Sequence, residues 1–215
     1  MHMVNTKHNL WVYMARFLSG FLNAEMLVSV GSMLTLHTGN LTRVSMSVVQ
    51  GEWDLIGLPI LAILTYFLGA FVTGAYYGKL TEKMSYKYWH GYLMVAFLIS
   101  LLWIPSVLEI AIVPILSFSM GIICTMALDN NGYIGTITMM TGLMTSLANE
   151  LSYWLFRKEA TSKNRVIYLS INLISYIFGV FFQMLIYLWN GNVITGSFVL
   201  MVLFLAYWAY RYGEK

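Results

Sequence analysis

Charge is what this sequence has least of. Asp, Glu, Lys and Arg make up 10% of the 215 residues, against 59% hydrophobic ones, and mean hydropathy is +0.71. A soluble domain carries about 25% charged residues to face water, so this inventory excludes an aqueous shell and predicts lipid as the solvent. Cysteine is nearly absent too: Cys124 stands alone inside an apolar run. That excludes a disulfide framework and a thiolate metal set, and leaves Cys124 as a small packing residue.

Chemistry-bearing motifs are equally scarce. No Ser-His arrangement, His-Glu-x-x-His run or carboxylate pair at catalytic spacing occurs. The expectation is therefore a protein that is not an enzyme, with no catalytic residue, no metal site and no cofactor. The net charge of +3 comes from Lys and Arg in short loops that form no basic face, which argues against nucleic acid as a partner. The N-terminal stretch lacks the charged start and small-residue cleavage site of a signal peptide, so Leu10 to Val30 is expected to persist as a mature helix.

What the sequence does have is long apolar runs. Leu55 to Gly78, Tyr88 to Leu108 and Ile110 to Leu128 are free of charge and close to the ~20 residues of helix that cross a bilayer core. The run from Val166 to Tyr210 is too long for one crossing and divides at the turn-forming Trp189-Asn190-Gly191-Asn192. With Leu10 to Val30 these make six spans. Trp11, Trp53, Trp89, Trp103, Trp154, Trp189 and Trp208 all fall near proposed helix ends, where amphipathic indoles favour the headgroup zone.

One polar island occurs twice. The stretch "HTGNLTRVS" at His37 to Ser45 has a counterpart, "MTGLMTSLA", at Met140 to Ala148, 103 residues on. Thr38-Gly39 matches Thr141-Gly142, and Thr42 matches Thr145. The same shift carries the Leu55 helix onto the Val166 helix and the Tyr88 helix onto the Val193 helix. It also sets Ala70 and Gly74 near Ser175 and Gly179, and Glu25 near Asp129. The chain is thus read as one membrane domain over residues 1–215, with internal repeats over roughly 10–106 and 108–211.

Basic residues orient the spans. Lys79, Lys83 and Lys87 mark one loop as cytoplasmic, Arg157, Lys158, Lys163 and Arg165 a second, Arg211 and Lys215 the C-terminus, and Lys7 and Arg16 the N-terminus. All four lie on one side only if both Thr-Gly segments are re-entrant or peripheral. The expected fold is then all-α and integral to the membrane: six transmembrane helices plus two broken Thr-Gly segments, as two inverted three-span repeats. If both segments crossed, eight helices and a parallel repeat would result, which the loop charges disfavour.

Irregular backbone at membrane depth survives only where protein shields it or a wet cavity meets it. Thr38 is expected to cap a half-helix running through Leu41 to Val49, and Gly39 to admit the bend, with Thr141 and Gly142 repeating both roles. The positive ends of these half-helices then point to the midplane and suit a small polar or anionic solute, with His37 and Asn40 adjacent. Small residues that simply let helices approach are the competing reading. The Gly74/Gly78 face offers close helix contact within the chain or across a homodimer.

Among the acids, Glu25 is the one placed inside a span, where an ionisable group costs ~2.5 to 3.5 kcal/mol on insertion scales and needs a partner. Arg43 is the candidate. Asp129 and Glu150 are expected at the interface. His37 either relays protons or is a hydrogen-bonded structural residue, and His90, beside Trp89, is expected at the interface.

The stretches "FLSGFLNAEML" and "LHTGNL", with "FSMGI" and "MMTGLMTSLA" in the second half, resemble the YoaK-like family of small bacterial membrane proteins over most of the chain. The resemblance implies a multi-pass protein of the bacterial inner membrane. Its pattern has an acid where this chain has Asn23. Glu25 does not restore that acid on the same face, because two residues turn a helix by ~200°.

These features favour a small secondary permease with a midplane site built from Asn23, Glu25, His37, Thr38, Gly39, Asn40, Thr141 and Gly142. A non-transporting scaffold or sensor is the alternative, and an intramembrane enzyme ranks below both. The lipid bilayer, a small solute and a second copy are the expected partners, and both termini are expected in the cytoplasm.

Overall fold

The computed structural model describes residues 6–31, 37–77, 85–126, 140–158, 160–190 and 196–213. Gly78, Lys79, Lys83, Asp129, Lys215 and the Gly191-Asn192 turn, all used in the reading above, lie outside them. Among the described residues the elements are eight α-helices: α1 Thr6–Val30, α2 His37–Gln50, α3 Gly57–Tyr77, α4 Tyr88–Ser100, α5 Pro105–Met126, α6 Met140–Phe156, α7 Ala160–Asn190 and α8 Gly196–Tyr212. Two are long and apolar enough to cross a membrane, over Trp53–Tyr77 and Thr161–Trp189, and three shorter apolar helices accompany them.

The helix ends follow local chemistry. At the end of α2, Gly51 takes φ +75, its N–H reaches the Val48 carbonyl at 3.3 Å, and Glu52 N–H reaches the Ser47 carbonyl at 2.9 Å. This paired closure satisfies carbonyls that the last turn leaves open, and the left-handed φ suits glycine. Gly31 closes α1 more simply, with φ +69 and one bond to the Leu27 carbonyl at 3.1 Å.

The run Tyr88 to Leu108 is divided rather than continuous. Pro105 opens α5, a position where its missing N–H is no loss, and Ile104 before it is extended at φ −84, ψ 115, as a residue preceding proline must be. So α4 stops at Ser100, a 3₁₀ turn follows at Leu101–Trp103, and Glu109 falls inside α5 rather than between two spans.

Packing pairs helices that are distant in sequence. The principal contacts join α1 to α7, α3 to α5 and α4 to α8, while α2 lies on α3 and α6 on α7. Glycine sets the first two crossings. A β-carbon on Gly20 would stand 2.2 Å from the Tyr176 carbonyl oxygen, and one on Gly179 2.0 Å from that of Phe17. In the other pair, Gly121 would meet the Tyr66 oxygen at 2.2 Å, and Gly69 that of Phe118 at 2.2 Å. Backbones that close need residues without side chains. Gly74 has nothing within 4 Å, so the tight contact within the chain is at Gly69 instead.

The third pair interlocks by side chains. Tyr92, Val95, Ala96 and Ile99 of α4 are buried, and Val202, Leu205, Ala206 and Ala209 of α8 are buried at the same spacing.

Ring contacts fix the ends of the bundle. Trp11 lies against Tyr88 at 6.1 Å, Tyr77 against Tyr88 at 5.2 Å, Tyr13 against Tyr168 at 5.6 Å, and Trp89 against Tyr210 at 5.9 Å. The starts of α1, α4 and α7 therefore share one end with the finishes of α3 and α8. At the other end Phe21 stacks on Phe198 at 5.8 Å, and Gly196 neighbours Trp103.

Several expectations change here. Trp11, near the start of α1, is turned into the protein rather than outward: it is 1% exposed, and its Nε1–H donates to Tyr92 Oη at 2.8 Å. Arg16 is buried in mid-helix and belongs to no loop. Glu150 is buried between α6 and α7, where its Oε1 pairs with Arg165 Nη1 at 3.2 Å.

Candidate functional site

Helix α2 has 14 residues against 21 in α3. Its first residue, His37, lies on the ring of Tyr66 at 4.2 Å. Tyr66 sits halfway along α3, so α2 begins at mid-depth and runs to the end where α3 starts. Helix α6 is set against α7 in the same sense: Met140 and Leu143, at its start, pack with Tyr168, Leu169 and Leu173. Each short helix thus directs its unpaired N–H groups toward the middle of a longer neighbour.

Thr38 and Gly39 lie within the first turn of α2, and Thr141 and Gly142 within the first turn of α6, not at bends ahead of them. Thr38 does not cap the helix. Its carbonyl instead accepts from Thr42 Oγ1 at 2.9 Å, and the Thr141 carbonyl accepts from Thr145 Oγ1 at 3.0 Å. A helical threonine commonly returns its hydroxyl to the carbonyl of the preceding turn. The residues just before His37 lie outside the described residues.

Of the predicted site residues, His37, Thr38, Gly39 and Asn40 are brought together on one turn. Asn40 and Ser47 form the buried face of α2. Exposed Thr38, Gly39, Thr42 and Arg43, with Ser47 and Glu52 further along, border a shallow depression of about 430 Å³. Both ring nitrogens of His37 are buried and without hydrogen-bond partners among the described residues. Thr141 and Gly142 are exposed on α6, and α2 and α6 do not pack on each other among the described residues. Each Thr-Gly turn therefore packs beside a different long helix, the first on α3 and the second on α7.

Asn23 and Glu25 go elsewhere again, both to α7. Asn23 Nδ2 donates to Tyr176 Oη at 3.1 Å. Glu25 accepts from Ser29 Oγ at 2.8 Å and from Gln183 Nε2. Arg43, the partner expected for Glu25, is exposed on α2. Sequence reasoning passed over Tyr66, Tyr176 and Gln183. The one available signal was Gln183 itself, a polar residue deep in the charge-free Val166 to Tyr210 run.

The architecture defines a class: an all-helical bundle in which two shorter helices, of 14 and 17 residues, start part-way along longer apolar ones of 21 and 31 and carry a Thr-Gly pair in the first turn. The chain belongs to the DUF1275 family, described as a protein of unknown function, whose profile matches residues 11–210. No curated protein and no solved structure matches it.

Proposed function

We propose that the chain is an integral membrane carrier: a small secondary permease for a small polar or anionic solute, which engages the first turn of α2. The contact between His37 and Tyr66 carries this reading, because it sets a helix N-terminus at mid-depth, where unpaired N–H groups and the helix dipole favour negative charge. Thr38, Thr42 and Arg43 add hydroxyls and a cation beside the depression. Half-helices of this kind at the membrane midplane are a recurring carrier device.

The membrane setting rests on exposure. Only 17% of the apolar window in α3 and 22% of that in α7 is buried. Leu64, Phe67 and Phe71 of α3, like Ile177, Phe178 and Phe181 of α7, stand more than half exposed. Water would not tolerate two such faces, whereas lipid requires them. We read the whole as six spans in two inverted repeats. The paired glycine crossings and the matched burial of α4 and α8 support that reading, and so do the two short helices, whose starts at His37 and Met140 are 103 residues apart.

Lys87, Arg157, Lys158, Lys163, Arg165 and Arg211 sit toward the end that holds the start of α1 and the finish of α8. By the positive-inside bias that end is cytoplasmic, and the YoaK-like resemblance makes the membrane the bacterial inner one. The Gly74 side of α3 is open, so a second copy or lipid covers it.

Proteoliposome uptake tests the carrier. The probes are labelled small carboxylates and inorganic phosphate under an imposed gradient. Saturable, gradient-dependent uptake is expected, at least about tenfold lower in Thr38→Val with Gly39→Leu and in Arg43→Gln, a loss that removal of a charge-assisted contact brings. Flux unchanged in both variants would sink the α2 site.

A further inference from the structure

Glu25 has no part in the α2 turn, yet it is the most completely enclosed carboxylate among the described residues, at 2% exposure. Ser29 Oγ and Gln183 Nε2 are its partners. Gln183 is itself 1% exposed, and its Oε1 has no hydrogen-bond partner among the described residues. No described cation stands beside the pair. Arg16, on the same helix, lies about 13 Å back along the axis. From α7 the ionisable groups are Tyr176, held on Asn23, and Tyr187, one turn beyond Gln183. The first turns of α8 bring none, and among the described side chains α5 brings Cys124.

A carboxyl group inside a bundle without a cation beside it is rare and marks an ion or proton path. A hard metal ion asks for about six or more oxygens, and the oxygens of Glu25, Ser29 and Gln183 fall short of that. A proton asks only for a pocket that suits both states of the acid. Here Gln183 offers its amide hydrogens to the carboxylate, and the idle Oε1 is available to accept from the acid's O–H once the amide turns over. The Ser29 hydroxyl rotates to serve either state.

We propose that Glu25, Gln183 and Ser29 form a proton-binding site inside the bundle, and that this is the coupling site of the carrier described above. The coupling role rests on that carrier reading; the binding of a proton does not.

Infrared difference spectra of the full chain in liposomes, recorded through a pH titration, test it. The expected result is a protonated-carboxyl band that titrates in the wild type, is displaced in Glu25→Asp and is lost in Glu25→Gln. Gln183→Leu, which leaves the acid in place, should keep the band and move its midpoint by about one pH unit or more. The site is refuted by a band that survives Glu25→Gln, by a Glu25 that stays ionised throughout, or by a midpoint that ignores Gln183→Leu. A band that responds to sodium at constant pH would reassign the site to a metal cation. Failure of the uptake assay alone removes the carrier and leaves the proton site standing.

Discussion

Gly20 of α1 backs onto the carbonyl oxygen of Tyr176 in α7, so close that a β-carbon would stand 2.2 Å from it. The obstacle is main chain, which cannot turn aside as a flexible side chain would.

Gly20→Ala, Gly179→Ala, Gly69→Ala and Gly121→Ala should each destabilise the bundle by about 1–3 kcal/mol or more through overpacking. Gly74→Ala should be neutral, because nothing lies within 4 Å of that position. Thermal unfolding in one detergent checks the contrast, and a Gly74 variant as damaging as the others would refute these crossings.

Arg43 and Arg157 belong to opposite ends of the bundle, the first on α2 and the second after α6. Cys124 is buried, so a membrane-impermeant thiol reagent should see little background. Arg43→Cys should react from one face of sealed vesicles and Arg157→Cys from the other. Labelling of both from one face would overturn the six-span topology.

Glu150 is buried, while its partner Arg165 is about half exposed, at 52%. Arg165→Leu should cost on the order of 1–3 kcal/mol, the range for a hydrogen bond to a charged group, with screening by salt reducing the figure. Glu150→Gln should cost less, since the charge it leaves unpaired, on Arg165, is half exposed to solvent rather than buried. The two melting temperatures, measured at low and high salt, give the comparison. Equal losses in both variants would count against a stabilising pair.

Tyr92→Phe deletes the oxygen that accepts from the Trp11 indole in a closed part of the core. The expected loss is about 1–3 kcal/mol, the cost of stranding a buried donor, seen as a lower melting temperature. Tyr88→Phe keeps the stacked ring on Trp11 and should be milder.

Much of the secondary structure was legible because helices that are apolar on every side leave unbroken hydrophobic runs, and those runs stand out directly in the sequence. The Thr-Gly segments were legible as a repeated island, though not as cap and bend. Those roles depend on φ and ψ at particular residues, and a glycine in the first turn of a helix reads the same in sequence as one just before it. The small-residue pairs were legible only in part: Gly179 does meet the Phe17 carbonyl, whereas Gly74 has nothing within 4 Å. Ala70, Gly74, Ser175 and Gly179 share a spacing, but only the crossing of α1 on α7 and of α3 on α5 decides which glycine meets a neighbour's carbonyl.

The partner of Glu25 could not have been inferred, since Gln183 lies 158 residues away in sequence and only the packing of α1 on α7 brings the two together. By itself the sequence determined that the chain is helical, that it is poor in charge and rich in long apolar runs, and where most helices begin and end. These properties follow from side-chain chemistry summed over short windows. Tertiary structure alone decided which helices cross, which polar groups are sealed inside, and which long helix each Thr-Gly turn packs beside. Such facts arise from close packing between remote segments, where a single missing β-carbon sets the distance and no local pattern records it.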